Sequence, residues 1–77
     1  PGQALILKPC NSIHTFFMKF PIDVLFVDKD KRVIQAIPSL APFRLTYIYC
    51  KAQFAIELPA GTILSSSTQK DDILLLG

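Results

Sequence analysis

"IDVLFVDKDKRVIQAI", residues 22 to 37, consists of two apolar runs on either side of the charged residues Asp28 to Arg32. Two runs rich in β-branched and aromatic residues around a short polar segment are typical of a β-hairpin. Asp28 suits the first position of the turn, where its carboxylate can accept backbone N–H groups. A turn of this length usually needs one residue with positive φ, and the candidates are Asp30 and Lys31, at a cost of about 1 kcal/mol relative to glycine. The sequence therefore predicts a hairpin over this stretch.

Short β-prone segments lie on both sides of the hairpin. Six prolines and many β-branched or aromatic residues leave little room for helices. "PAGTILSS", residues 59 to 66, is compatible with one short helical turn. Beside the hairpin we expect strands over residues 4 to 8, 13 to 20, 45 to 50, 52 to 58 and 73 to 76, an irregular crossing over 38 to 46 and a polar loop over 65 to 72.

The number of these strands indicates a β fold with two layers or a closed sheet. About six short strands, with a turn roughly every eight to twelve residues, are typical of sandwiches and barrels. A single uncovered layer would leave much apolar strand surface in water. We therefore predict a mainly β fold, a small antiparallel sandwich or jelly-roll-like barrel with at most one short helix. The 77 residues are enough for one domain, residues 1 to 77.

Composition and charge argue against several classes of partner. The chain is 51% hydrophobic and 18% charged, which favours a buried core over disorder. The net charge is +2, and the basic residues form no run longer than Lys31-Arg32, so we predict no nucleic-acid binding. No stretch approaches the ~20 apolar residues of a membrane-spanning helix, so we expect a soluble domain. The high hydropathy favours weak self-association through an exposed apolar patch.

The cysteines and the first residue leave the compartment open. Cys10 and Cys50 have no metal-type or redox-type spacing, and free thiols packed as small apolar groups are favoured over a disulfide. The chain begins at Pro1. A cytoplasmic protein and an exported one whose signal segment has been removed are both compatible with this start.

Four blocks of the sequence resemble a known family. They are "SIHTFFMKFPIDVLFVDKDKRV" at 12 to 33, "APFR" at 41 to 44, "AIELPAGT" at 55 to 62 and "DDIL" at 71 to 74. In this order they resemble the bacterial and archaeal family called domain of unknown function 192, an uncharacterised protein family. The resemblance implies a small sandwich of jelly-roll type, with one short helix before the final strand. It implies no established activity.

The chain departs from the pattern of this family in three loops. The family usually has glycine in the hairpin, where this chain has Lys31. A Gly-Asp pair before the last strand is replaced by Asp71-Asp72, and the frequent tryptophan of the proline-aromatic-arginine block is replaced by Phe43. The loss of two turn glycines affects the expected loop geometry and leaves the predicted strands unchanged.

Four polar residues in apolar surroundings are candidates for ligand binding: His14, Asp23, Arg44 and Glu57. His14 is the only histidine, and its side chain type titrates near neutral pH. Asp23 and Glu57 each lie between apolar neighbours, so each carboxylate needs several N–H donors or a cation such as Arg44 or Lys19. Strand anchors, turn caps and buried salt bridges are the structural interpretations of the same residues.

The residues support little catalytic chemistry. Cys10 and His14 would lie about 13 Å apart in an extended chain, too far to share one ion, so we predict neither a metal site nor a cofactor. No serine has the setting of a nucleophile elbow, and no glycine-rich loop could hold a phosphate. We therefore predict no catalytic residues.

Three hypotheses about function follow. The first is a non-enzymatic binding or interaction module for an unidentified small ligand or protein. The second is a hydrolase acting on a carbohydrate or small ester, with Asp23 and Glu57 as carboxylates about 5 to 10 Å apart. The third is a purely structural domain in which every polar residue named above is satisfied inside the fold.

Overall fold

The structure is a computed structural model that describes residues 4 to 16 and 18 to 75. The described residues form one antiparallel sheet and one short helix, which confirms a mainly β fold. The strands lie in the order β1-β4-β2-β3. The elements are β1 (Leu5–Leu7), β2 (Ile22–Val27), β3 (Val33–Leu40), β4 (Phe54–Pro59) and α1 (Thr62–Ser66).

The predicted hairpin is confirmed by the antiparallel pairing of β2 with β3. Its turn has the expected chemistry, because Asp28 Oδ1 accepts the N–H groups of Asp30 at 2.8 Å and Arg32 at 3.0 Å. The residue with positive φ is Lys31, at 65°. Local turn rules therefore describe this part of the chain correctly.

β2 is the centre of the sheet, and all six of its residues are buried. Directly paired residues share one face, and side chains alternate along a strand. Val24 pairs with Glu57 and with Ile37, so these three side chains lie on what we call the first face. Asp23 pairs with Leu58, and both lie on the second face.

Two irregular segments cover the first face. Residues 11 to 15 and 44 to 49 run antiparallel, with backbone bonds from Thr15 N to Arg44 O at 2.8 Å and from Thr46 N to Ile13 O at 2.9 Å. Ile13 is buried against Val24, and Tyr49 packs partly buried on the same cluster. We call these two segments the cover.

The cover corresponds to two predicted strands, over 13 to 20 and 45 to 50, which the described residues do not form. Phe17 lies outside the described residues. Hydroxyl groups occupy positions of the ladder, since Thr15 Oγ1 accepts from Arg44 N at 2.9 Å and Thr46 Oγ1 accepts from Ile13 N at 2.9 Å. Side chains that bond to nearby backbone in this way compete with regular secondary structure.

The second face is covered by α1 and by the last described segment. Ile63 of the helix is buried in one cluster with Leu25 and Ile56, and Leu74 packs partly buried on the same cluster. The predicted helical turn is thus confirmed, over Thr62–Ser66.

Other parts of the sequence-based fold need correction. Six strands and a closed sandwich or barrel are not confirmed, because the described residues form four strands in one open sheet. β3 continues to Leu40, into the predicted irregular crossing. The expected last strand, 73 to 76, is within the described residues an isolated bridge between Ile73 and Arg32, and residue 76 lies outside them.

The two positions where the family pattern would place glycine keep a left-handed backbone. Lys31 has φ 65° and Asp71 has φ 75°. A residue with a Cβ atom is less stable than glycine in this region, so the turns are held by their surroundings. Both turns therefore have a backbone conformation that glycine adopts most easily.

Two further expectations can be compared with the structure. Cys10 and Cys50 are both free thiols, as predicted. The predicted packing as small apolar groups is confirmed for Cys10, which packs against the first-face core, and is wrong for Cys50, which is exposed. Within residues 4 to 16 and 18 to 75, no helix has the length and apolar character needed to cross a membrane.

Thr15 is expected to be essential to the cover. It is buried, and its hydroxyl donates to Ala41 O at 2.7 Å while accepting from Arg44 N. Thr15→Val keeps the shape and leaves these backbone groups without a partner, so we expect it to lower the free energy of unfolding by about 1–3 kcal/mol in urea denaturation. Thr15→Ser, which keeps the hydroxyl, should lose only about 1 kcal/mol. A valine variant as stable as the wild type would contradict this role.

Candidate functional site

Asp23 is fully buried on the second face and is satisfied by backbone donors. Its Oδ1 accepts the N–H of Ser39 at 2.8 Å, and its Oδ2 accepts the N–H of Ile63 at 2.7 Å. Ile63 lies in the first turn of α1, which begins after Gly61 and has no capping side chain of its own. The sequence left two kinds of partner open for this carboxylate, backbone N–H donors or a cation such as Arg44 or Lys19. In the structure its partners are N–H donors, and neither cation bonds to it.

Asp23 and Glu57 do not form a pair of catalytic carboxylates. Glu57 lies opposite Val24, one residue after Asp23 in β2, so the two carboxylates point to opposite faces of the sheet. A hydrolase with two carboxylates needs both at one groove. This geometry argues against the hydrolase hypothesis.

His14 and Glu57 are brought together by the cover. Glu57 lies on the first face, and His14 lies in the cover segment that runs over this face. Burial raises the pKa of the Glu57 carboxyl above its ordinary value of 4.5, and the nearby His14 charge partly opposes this rise. Such a coupled pair of titratable groups is a feature of binding and catalytic sites, and also of structural ion pairs.

Exposed apolar side chains surround this pair. Phe16 stacks on the His14 ring with 4.8 Å between the ring centroids, and 43% of it is exposed. Leu45 pairs with His14 in an isolated bridge and is 69% exposed. Leu5 of β1 pairs with Glu57 and is 54% exposed. We call these five residues the His14–Glu57 surface.

Arg44 is held in place through its main chain. Its N–H donates to Thr15 Oγ1, and its carbonyl accepts from Thr15 N. The side chain is exposed, and its guanidinium makes no hydrogen bond or ion pair with other described residues. Arg44 precedes Leu45 in the chain, but the structure does not bring it together with Asp23.

A lysine-lined cleft was missed by the sequence-based reasoning. It has a volume of about 410 Å³ and lies at the end of the sheet that carries the hairpin turn. A second cavity, of about 370 Å³, shares Pro9 and Gln53 with it and is also lined by both cysteines. The first cleft is lined by Lys8, Pro9, Lys29, Lys31, Gln53 and Phe54. The sequence signal that could have indicated this cleft was one lysine at the end of a predicted strand, Lys8, and two lysines in the predicted turn, Lys29 and Lys31.

Metal ligands do not cluster in the part of the chain that the structure describes. No group of three or more His, Cys, Asp or Glu residues there could hold one ion. The fold and these surfaces define a small β domain with one antiparallel sheet, a coupled histidine–glutamate pair and a basic cleft.

This class can now be narrowed to a family. The family model DUF192, described as "Uncharacterized ACR", matches residues 1 to 76, and the chain belongs to this family. The resemblance found in the sequence blocks is therefore confirmed. The family has no assigned function, and the sequence of this chain likewise contains no recognisable catalytic motif.

Two archaeal proteins are similar to this chain in sequence. A UPF0127 protein of Pyrococcus abyssi is 39% identical over 67 residues, which are 79% of this chain and 56% of that protein. A UPF0127 protein of Thermococcus kodakarensis is 35% identical over 63 residues, which are 82% of this chain and 40% of that protein. The chain thus spans about half the length of these relatives.

A solved structure has the same fold. It is a protein of unknown function from Novosphingobium aromaticivorans, with a TM-score of 0.83 and 16% sequence identity. The match covers 96% of this chain and 57% of that one. At this identity the likeness concerns the fold alone.

We expect Asp23→Asn to destabilise the protein. Asparagine has one acceptor oxygen, so the N–H of either Ser39 or Ile63 would face another donor. The free energy of unfolding should fall by about 1–3 kcal/mol, and the Ile63 amide should exchange faster with deuterium. Asp30→Asn in the exposed turn is the matched control, with an expected change within about 0.5 kcal/mol. Equal losses from both variants would contradict this role of Asp23.

Glu57 should make stability depend on pH. Because the folded state has the higher pKa, the protonated carboxyl stabilises the fold fully below pH 4.5, and this contribution is lost as pH rises through the raised value. Glu57→Gln should therefore gain stability relative to the wild type at neutral pH, and the gain should vanish in acid. Urea unfolding across this pH range measures the difference. In an NMR titration, His14→Gln should raise the pKa of Glu57 further; a lower pKa would contradict the coupling.

Proposed function

We propose that this chain is a non-enzymatic interaction module that binds its partner through the His14–Glu57 surface. The observation that supports this proposal is the half-buried Glu57 carboxyl, whose pKa is raised by burial. It lies near His14, and exposed apolar side chains surround the two residues. Contiguous apolar side chains at a polar centre are typical of binding surfaces.

The chemistry of the surface suggests what would bind there. Phe16, Leu45 and Leu5 offer apolar contact, while Glu57 can accept or, when protonated, donate a hydrogen bond at the centre. A partner that covers these side chains would bring an apolar face with one polar group. We include Arg44 in the proposed surface, because it is exposed and adjacent to Leu45 in the chain.

The position of Asp23 favours binding over catalysis. Both of its carboxylate oxygens are engaged by backbone N–H groups on the opposite face, so it is a structural residue in this proposal. The remaining acidic residue of the predicted pair, Glu57, has a histidine beside it. A general base needs a positioned nucleophile or water as well as a suitable pKa.

Weak self-association is part of the same proposal. A second copy could cover the exposed Phe16, Leu45 and Leu5 side chains as a partner would.

A thermal-shift screen with surface variants tests this function. A ligand at a hundred times its Kd adds about 2.7 kcal/mol to the stability of a protein that binds it only when folded, which raises Tm by about 10 °C or more. The screen covers neutral ligands and short apolar peptides, and it leaves out anions, which the lysine-lined cleft would attract in all four proteins. It is run on the wild type, His14→Gln/Glu57→Gln and Leu45→Ser.

Leu64→Ser is the matched control, because Leu64 is 84% exposed on α1, which packs on the second face. We expect hits that stabilise the wild type and the control but not the two surface variants. Hits that stabilise all four proteins equally, or a hit that the wild type chemically converts, would contradict the proposal.

A further inference from the structure

The order of the strands brings three lysines to one end of the sheet. β1 runs antiparallel to β4 and pairs Leu7 with Ala55, so Lys8, the next residue, lies at the level of Phe54, the first residue of β4. Val27, the last residue of β2, pairs with Phe54, so the hairpin turn lies at the same end. Lys29 and Lys31 belong to this turn. Three cations thus converge from two segments that are distant in sequence.

The cleft between these segments is basic. Among residues 4 to 16 and 18 to 75, six line it, and these include three lysines and no carboxylate. Asp28, in the same turn, accepts the N–H groups of Asp30 and Arg32 through its Oδ1. Asp30 is exposed in the same turn and offsets part of the positive charge.

Lys8 is oriented by an aromatic ring. Its Nζ atom lies 4.8 Å from the centroid of the Phe54 ring, which is buried in the core of the second face. Cation–π attraction of this kind holds an ammonium group against the ring face. One of the three charges therefore has a defined place at the cleft wall.

Lys31 lies in a backbone conformation that glycine adopts more easily. Its φ is 65°, and its side chain lines the cleft. Left-handed residues with a Cβ are strained, and such strain is found preferentially at functional sites. The backbone of the turn therefore does not require a lysine at this position. The lysine side chain instead places a positive charge at the cleft.

We propose that this cleft binds a small polyanion of the phosphate type, an inorganic phosphate or a phosphate-bearing small molecule. Lysine ammonium groups bind phosphate as point charges, and Gln53 can donate from its amide. The volume of about 410 Å³ is within the range of small-ligand sites. Three lysines at one end suit a compact ligand, whereas a nucleic-acid backbone needs contacts along a longer basic surface.

The cleft is independent of the His14–Glu57 surface. Glu57 lies three residues after Phe54 in β4, about 10 Å along the strand. The two sites therefore can be tested separately, and loss of one does not imply loss of the other.

Calorimetric titration with pyrophosphate, at low salt and with a chelator present, tests the proposal. Lys8→Ala, Lys29→Ala and Lys31→Gly should each weaken binding about tenfold, as expected for loss of one charged hydrogen-bond donor. Lys31→Gly should melt at the same temperature as the wild type or higher, because glycine relieves the left-handed backbone. Weaker binding by a protein that is at least as stable cannot be attributed to unfolding.

Two controls complete the experiment. Lys70→Ala removes an equal charge from the exposed 69 to 72 segment and should leave the affinity unchanged. Titrations with sulfate and citrate distinguish phosphate from other anions, and we expect pyrophosphate to bind more tightly than either. No binding of pyrophosphate by the wild type, citrate binding more tightly than pyrophosphate, or equal losses from Lys70→Ala and Lys31→Gly would overturn the proposal.

Discussion

The arrangement of the fold depends on one buried carboxylate. Asp23 lies in the central strand, where an unpartnered charge would be very costly, and two backbone N–H groups from different elements satisfy it. One donor belongs to the far part of β3 and the other to the first turn of α1, so a single side chain fixes both to β2. A helix of five residues has little stability by itself. The position of α1 on the second face is therefore set by the strand beneath it.

The first face of the sheet is covered in a different way from the second. Its apolar residues are covered by chain that is hydrogen-bonded but irregular, because the hydroxyls of Thr15 and Thr46 take up main-chain groups that a regular ladder would pair. In the cover His14, Phe16 and Leu45 are exposed, while Ile13 and Thr15 are buried. The proposed interaction surface is thus a consequence of how the sheet is covered.

The sequence predicts those features that depend on neighbouring residues. The hairpin, the role of Asp28 in its turn and a positive φ at either Asp30 or Lys31 all follow from local rules, and the structure has each of them, with Lys31 as the residue of positive φ. The cover was predicted as two strands, because residue type indicates β propensity but not which hydroxyl will replace a ladder bond. The partners of Asp23 and the convergence of three lysines depend on the order of the strands, which no local pattern specifies. Of the four predicted site residues, the structure brings together His14 and Glu57.

An open sheet has two edges, and exposed edges are templates for uncontrolled polymerisation of strands between molecules. Here both edges are poor templates. β1 is three residues long, and β3 contains Pro38, which has no N–H to offer, while Val33 is already bonded to Asp71 and Asp72. The replacement of the turn glycine by Asp71 therefore does not open this edge, because its N–H still donates to Val33 O at 2.7 Å. The segment at residues 71 to 74 forms only an isolated bridge and no strand. Because it occupies the backbone groups at the start of β3, it blocks the growth of amyloid-like strand pairing there.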